Sequence, residues 1–250
     1  MMTPAGRTAS PRRVEHGFGY IEVEMSTQGF LAIWCEIGRD DLVDYHNWQT
    51  QEHIADRIYS PGFLGMRLFT AVDNPCAHFF LYATESAAVM KSPPYLRILD
   101  NPSPWTKRLM PKFGPFDRAV GEKLVKIGRG FGSHVMASRL AGDGRPLDPA
   151  AVKEALRGFI NLPDTMGVRL LATDRATTGI ESREKTMRIG VEGDFDYLLV
   201  VEALSRAGAE WARDQLSTRL PVALPGVVSR DAAVYRMIYG EAPHEGEAPA

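Results

Sequence analysis

The sequence lacks most of the features that announce a function. It has only two cysteines, Cys35 and Cys76, far apart and without metal-ligand spacing. They read as reduced core thiols of a cytoplasmic protein, not as a disulfide framework or a zinc site. No apolar run approaches the ~20 residues of a membrane-crossing helix. Two arginines near the start are followed by no apolar segment, which argues against a secretory leader. Neither sign of charge dominates: the formal charge is −2, so no basic field points to nucleic acid or an anionic membrane. There is no G-x-G-x-x-G, P-loop, G-x-S-x-G or His/Cys cluster. What is present, 250 residues with 44% apolar and 24% charged, is ordinary for a globular protein of one large or two small domains.

The apolar pattern sets out the elements. Residues 1–28 form a flexible arm rich in Pro, Arg, Ser and Thr, in which YIEVEM (20–25) could extend as an edge strand. Phe30–Ile37 alternates as a strand that is apolar on both faces, so both faces are expected to be covered. Asp40 or Asp41 caps a helix of about five turns. On a regular helix Tyr45, Trp48, Ala55, Ile58 and Tyr59 share one arc, with Glu52 at its edge. His46, Gln49, His53 and Arg57 form a separate polar stripe. Pro61-Gly62 stops that helix. Strands at 63–71 and 78–84, a helix over 85–100 interrupted by Ser92-Pro93-Pro94, and a strand within 119–127 complete a β-α-β-β-α-β order.

The order then repeats. Strands are expected at 133–140, 167–173, 197–203 and 232–238, with helices at 148–160 and 205–220. PGFLGMRLFTA (61–71) aligns without a gap on PDTMGVRLLAT (163–173), pairing Pro61 with Pro163, Gly65 with Gly167, Arg67 with Arg169 and Leu68 with Leu170. The same offset pairs Glu52 with Glu154. It also sets Trp48 and His53 against Ala150 and Ala155, so any reaction site belongs to the first copy. The second copy carries a polar insertion, roughly 177–194. The expected fold is therefore α+β: two tandem ferredoxin-like repeats, 29–130 and 131–240, packed sheet to sheet with helices outside, and a solvated tail from 241.

The string Trp48-x-x-x-Glu52-His53-x-x-x-Arg57, followed by Pro61-Gly62-Phe63 and an Arg in the next strand, resembles the dimeric α/β-barrel superfamily, particularly its EthD-like and tandem members. The resemblance implies a ligand cleft between a sheet and its helices, with a His as acid/base. Related folds include isomerases, cyclases, cofactor-independent monooxygenases and haem-processing enzymes. Such motifs often place a proline two positions after the His, where this chain has Ala55.

His53 is thus the candidate proton carrier, oriented by Glu52 or Gln49; the bland reading is a solvent-facing imidazole. Glu52 could be catalytic or could pair with Arg67 or Arg57. Arg67 could hold a substrate carboxylate, but Arg169 at the matching position favours a salt bridge that keeps the fold. His78 could reach the cleft from its strand. Trp34, Trp48, Tyr95 and Trp105 could line a pocket for a flat ligand, with Tyr95 and Trp105 favoured by their proline-rich segment. GRGFG (128–132) reads as the joint between repeats. The expectation is an isomerase, lyase, cyclase or cofactor-free monooxygenase acting on a small apolar or carbonyl compound. The alternatives are a haem protein with His53 or His78 as axial ligand, and a non-enzymatic binding protein. No other cofactor or metal is called for. A monomer suffices, and a homodimer is open to it.

Overall fold

The computed structural model describes residues 29–188 and 193–243. The edge strand considered at 20–25 and most of the tail from 241 lie outside the described residues. Among the described residues nine strands form: β1 (Gly29–Ile37), β2 (Phe63–Ala71), β3 (Ala77–Thr84), β4 (Phe113–Gly128), β5 (His134–Ala141), β6 (Thr165–Thr173), β7 (Tyr197–Ala203), β8 (Val228–Ser229) and β9 (Ala233–Glu241). All pairings are antiparallel. Their order is β7-β6-β4-β1-β3-β2-β9-β5, and β5 also pairs with β7, which closes an eight-stranded barrel. The two-residue β8 attaches to β5.

Each half has the strand order fourth-first-third-second: β4-β1-β3-β2 and β9-β5-β7-β6. The halves meet through hydrogen-bonded edges, β4 with β6 and β2 with β9. Closure by edges, rather than by face-to-face packing alone, removes every free edge of the barrel. It also explains why the strand expected within 119–127 is twice as long. β4 spans 16 residues because its first part pairs with β1 and its last part with β6.

The alternating pattern of β1 is used on both faces. Phe30 and Ala32 point into the barrel with Phe69, Phe79, Leu171 and Val200. Leu31, Cys35 and Ile37 point outward under the helices with Trp48, Ile54, Phe80 and Tyr95. A matching outer core in the second half holds Leu156, Phe159, Val168 and Leu216.

The helices sit where turn chemistry puts them. α1 (Leu42–Trp48) and α2 (Ile54–Ile58) are joined by a π-helical turn, Gln49–His53. The interruption at Ser92-Pro93-Pro94 is a helix start: Ser92 caps α3 (Pro93–Asp100). α4 (Pro104–Leu109), capped by Ser103, is an additional helix in the proline-rich connection. Asp148 caps α5 (Pro149–Ala155), followed by α6 (Arg157–Ile160). α7 (Arg175–Thr178) lies in the insertion, and Ser205 caps α8 (Arg206–Asp214), which is followed by α9 (Leu216–Ala223).

The offset of 102 positions is visible in the backbone. β2 and β6 have matching bounds at that offset, and each is bulged two residues in, at Phe63/Gly65 and Thr165/Gly167. The preceding turns match as well. Gly62 has φ 92° and Asp164 has φ 57°, the one non-glycine with positive φ among the described residues. A left-handed residue is needed there to turn helix into strand.

Candidate active site under the first-half helices

The site begins with the π-helical turn. The Ile54 N–H bonds to the Gln49 carbonyl, five residues back. The wider turn advances less per residue than an α-helix, so the side chains after Trp48 come round onto its face. His53 therefore lies inside, 5% exposed, with its ring 4.0 Å from that of Trp48 between centroids. Gln49 (2%) and Arg57 (3%) are buried beside it. Of the polar stripe, Gln49, His53 and Arg57 line a cavity instead of facing solvent, and His46 meets His78 outside it.

The cavity lies between these helices and the outer face of the first-half sheet. Its walls are Trp48, Tyr95, Phe80, Phe113, Phe116 and Met110, with Gln49, His53, Arg57 and Cys35. His53 Nδ1 and Gln49 Oε1 are buried with no hydrogen-bond partner among the described residues. Burial, with Arg57 and Arg188 close by, holds the imidazole well below its usual pKa, so it is neutral at physiological pH. The Cys35 thiol contacts the Tyr45 hydroxyl at 3.4 Å, and burial pushes it up to about 12, so it is no thiolate nucleophile. Both cysteines are free; Cys76 is half-buried rather than in the core.

The roof comes from the other half. After β6 the insertion 174–188 crosses back over the cavity. The Asp174 N–H bonds to the Val120 carbonyl at 2.8 Å, and Arg118 donates to the Thr178 carbonyl at 3.0 Å. The Glu184 N–H reaches the Leu99 carbonyl at 3.0 Å, and its carboxylate meets Arg57 at 2.7 Å, both side chains largely buried. Arg188 lies 4.0 Å over the Phe116 ring. Closed in this way the cavity measures about 30 Å³, room for one or two waters.

Of the expected site residues, the structure brings His53, Trp48 and Tyr95 to this cavity. Glu52 is elsewhere. Its carboxylate accepts from Trp48 Nε1 (3.1 Å), Ser103 Oγ (2.5 Å) and Thr106 Oγ1 (3.4 Å), which staples α4 to the first helix. It makes no hydrogen bond to His53 and no pair with Arg57 or Arg67, whose partners are Glu184 and Glu202. The matching Glu154 is exposed and pairs only with Arg157, so that match carries no shared role. Arg67 belongs to the barrel interior, where it shares Glu202 with Arg169, as the fold-keeping reading expects. His78 has both ring nitrogens engaged, with His46 Nε2 and the Cys76 carbonyl, each at 3.1 Å. Trp105 is half-buried and donates to Asp44 at 2.9 Å; Trp34 stacks on Phe79, its ring centroid 4.9 Å away, against the barrel interior. None of these four lines the His53 cavity.

Gln49, weighed from the sequence as a residue that orients His53, is at the site; Arg57, Glu184 and Arg188 are the site residues that the sequence reading did not nominate. Arg57 was visible only as a stripe partner of His53. Glu184 and Arg188 come from an insertion whose destination no local pattern shows.

Haem does not fit these residues. His53 has its ring 4.0 Å from that of Trp48, with the Arg57 and Arg188 cations nearby, and His78 has both ring nitrogens engaged. Among the described residues no group of three or more His, Cys, Asp or Glu is placed to hold a metal ion. No helix there is long and apolar enough to cross a membrane.

No family model matches the sequence, and no curated protein matches it. Solved structures do match in shape. An anthrone oxidase-like protein aligns with TM-score 0.61 at 11% identity, over 90% of this chain and 97% of its own. A protein assigned as a chlorite dismutase aligns at 0.52 with 13% identity, over 85% and 96%. A Lactobacillus acidophilus protein assigned as a monooxygenase aligns at 0.50 with 8% identity, over 86% and 96%. The fold is of the dimeric α/β-barrel type. At these identities the likeness establishes the fold alone.

Proposed function

We propose that the protein is a small-molecule enzyme that binds a compact aromatic or carbonyl-bearing compound beside His53 and activates it by removing a proton. One observation carries this reading: His53 Nδ1 and Gln49 Oε1 stand buried and unpartnered on the wall of an aromatic cavity. Each such group costs about 1–3 kcal/mol. A ligand that pairs with both removes that cost.

The neutral imidazole can accept a proton from an acidic O–H or C–H. The anion so formed faces the charges of Arg57 and Arg188, which favour it. The reaction class that we assign to an enclosed aromatic pocket with a base is cofactor-independent oxygenation. The deprotonated carbon gives electrons to dioxygen, with the net change R₂CH₂ + O₂ → R₂C=O + H₂O. The names of the oxidase-like and monooxygenase neighbours support this choice over isomerase, lyase or cyclase chemistry, which would use the same base. In its closed form the cavity admits no such substrate, so the roof 174–188 opens for entry and closes to exclude water. We further read residues 29–130 and 131–240 as a tandem duplication of a ferredoxin-like unit, EthD-like in its first copy, in a cytoplasmic protein.

The test is oxygen uptake by the purified protein with a panel of anthrone-type and phenolic substrates, next to His53→Ala with its circular dichroism unchanged. Turnover that depends on His53, without a Soret band, supports the reading. Full turnover by His53→Ala, or neither turnover nor a thermal shift across the panel, refutes it.

A further inference from the structure

The barrel interior holds a second cavity, on the opposite face of the sheet from His53 and sharing no lining residue with the first. At its polar end Arg67 of β2 and Arg169 of β6 converge on the fully buried Glu202 of β7. Arg67 donates twice, at 2.9 and 2.8 Å, Arg169 donates to the same carboxylate, and the Gly132 N–H adds a bond at 3.0 Å. That carboxylate is saturated, yet it answers only one of two guanidinium charges. Lys123 and Lys126 stand on the same wall, and Glu241, which accepts from Tyr239 at 2.8 Å, lines it as well. Arg67, Arg169 and Lys123 against Glu202 and Glu241 leave one positive charge in excess, in a chain whose formal charge is −2. Burial and the neighbouring Arg67 depress the Arg169 pKa against the opposing pull of Glu202.

The rest of the cavity is apolar. Phe30, Leu81 and Leu171 of the barrel core form its wall, and its volume is about 320 Å³, within the range of ligand pockets. Phe131 stands at the mouth, 62% exposed, with its ring over Arg67 at 4.2 Å and Arg169 at 5.1 Å. A large aromatic left in solvent at a cationic rim is the kind of residue that closes over a bound apolar body.

We propose that this barrel-mouth cavity binds an amphiphilic monocarboxylate, its apolar body against Phe30, Leu81 and Leu171 and its carboxylate held by Arg169 and Lys123 beneath Phe131. The planar guanidinium suits a carboxylate, and the apolar wall next to it suits an alkyl or aryl acid better than a hydrated multivalent anion. This inference does not rest on the role given to His53.

The experiment is calorimetric titration of the full chain with sodium decanoate, sodium 2-naphthoate and uncharged decanol. At least one of the two acids should bind at least about tenfold more tightly than decanol, the factor that one charge-assisted hydrogen bond supplies. Lys123→Gln and Phe131→Ala, both at partly or largely exposed positions, should each weaken acid binding several-fold with melting temperature unchanged. Arg169→Gln should abolish it, at a cost in stability. His53→Ala should leave it untouched. The proposal is overturned if both acids bind more weakly than about 1 mM, if decanol binds as well as they do, or if binding ignores both Lys123→Gln and Phe131→Ala.

Discussion

The two halves share their strands and their turns but not their helices. At the offset that superposes β2 on β6, the first half has Trp48 and His53 where the second has Ala150 and Ala155. Its helix contains a π-helical turn, whereas α5 is short and packs against the closed outer core of the second half. The connections differ as well. The first half joins β2 to β3 by a turn at 72–76; the second sends residues 174–196 between β6 and β7, and the part up to 188 roofs the first half's cavity. The pocket therefore lies where both halves depart from their shared strand pattern, the first by its π-helical turn and the second by its insertion.

The strongest way to break the comparison is to give the first half the second half's residue. His53→Ala reproduces Ala155 and is expected to lower kcat/KM by roughly 100- to 10,000-fold, the range for losing a positioned base, with folding intact. Deleting Gln51, an exposed residue in the π-helical turn, removes the departure itself. In the regular helix that results, His53 follows Trp48 by four residues, about 400° at about 100° each, and so stays on the cavity side. The imidazole should keep its depressed titration in NMR and activity should stay within about tenfold of the parent, unlike His53→Ala. A loss as large as that of His53→Ala would show that the π-helical turn itself is needed to aim His53.

The bond that joins the halves comes next. Glu202→Ala leaves Arg67 and Arg169 facing each other in the barrel without their carboxylate. Breaking a buried pair in this way costs about 3–5 kcal/mol, and at this chain length lowers Tm by roughly 10 °C. A loss below 1 kcal/mol in urea unfolding would mean that the barrel closes without this triad.

Acid should weaken the first half more than the second. His53 is held well below its usual value by burial and nearby guanidinium groups, and His78 is held at about 4 by burial and His46. The unfolded chain binds these protons first as pH falls below about 6.5, so stability is full above that value. It is lost as pH drops, by about 1.4 kcal/mol per pH unit for each imidazole, and the His78 contribution levels off near pH 4. Urea unfolding between pH 7.5 and 5 should show this slope, and His53→Ala should flatten it by one imidazole. An unchanged slope in that variant would place a charged His53 in the fold.

Strand positions were legible because a period of two and a glycine turn are local signals: β2 and β7 fall where the pattern put them, and Asp148 and Ser205 cap the helices they precede. The burial of both faces of β1 was legible for the same reason. The orientation of His53 was not. A helical wheel assumes 3.6 residues per turn, and the π-helical turn violates that within five residues. The partner of Arg57 was also hidden, since Glu184 is 127 positions away and reaches it only by the path of the insertion.

The smallest effect separates matched residues that differ only in surroundings. Glu52 accepts from Trp48, Ser103 and Thr106, and so ties the first helix to α4; Glu154 is exposed and bonds only to Arg157. Glu52→Ala loses those bonds, but Trp48 Nε1 keeps Thr106 Oγ1 at 3.2 Å and Ser103 keeps its bond to the Thr106 N–H. No buried donor is orphaned, so the cost is set at about 1–2 kcal/mol, the net worth of one or two hydrogen bonds. Glu154→Ala removes a surface pair and should stay within about 0.5 kcal/mol. Because Glu52 does not touch His53, its loss should raise KM through a looser wall at Trp48 and leave kcat within about threefold. A kcat as low as that of His53→Ala would make Glu52 part of the proton path, and a Glu154→Ala loss equal to that of Glu52→Ala would mean that the two positions still do the same job.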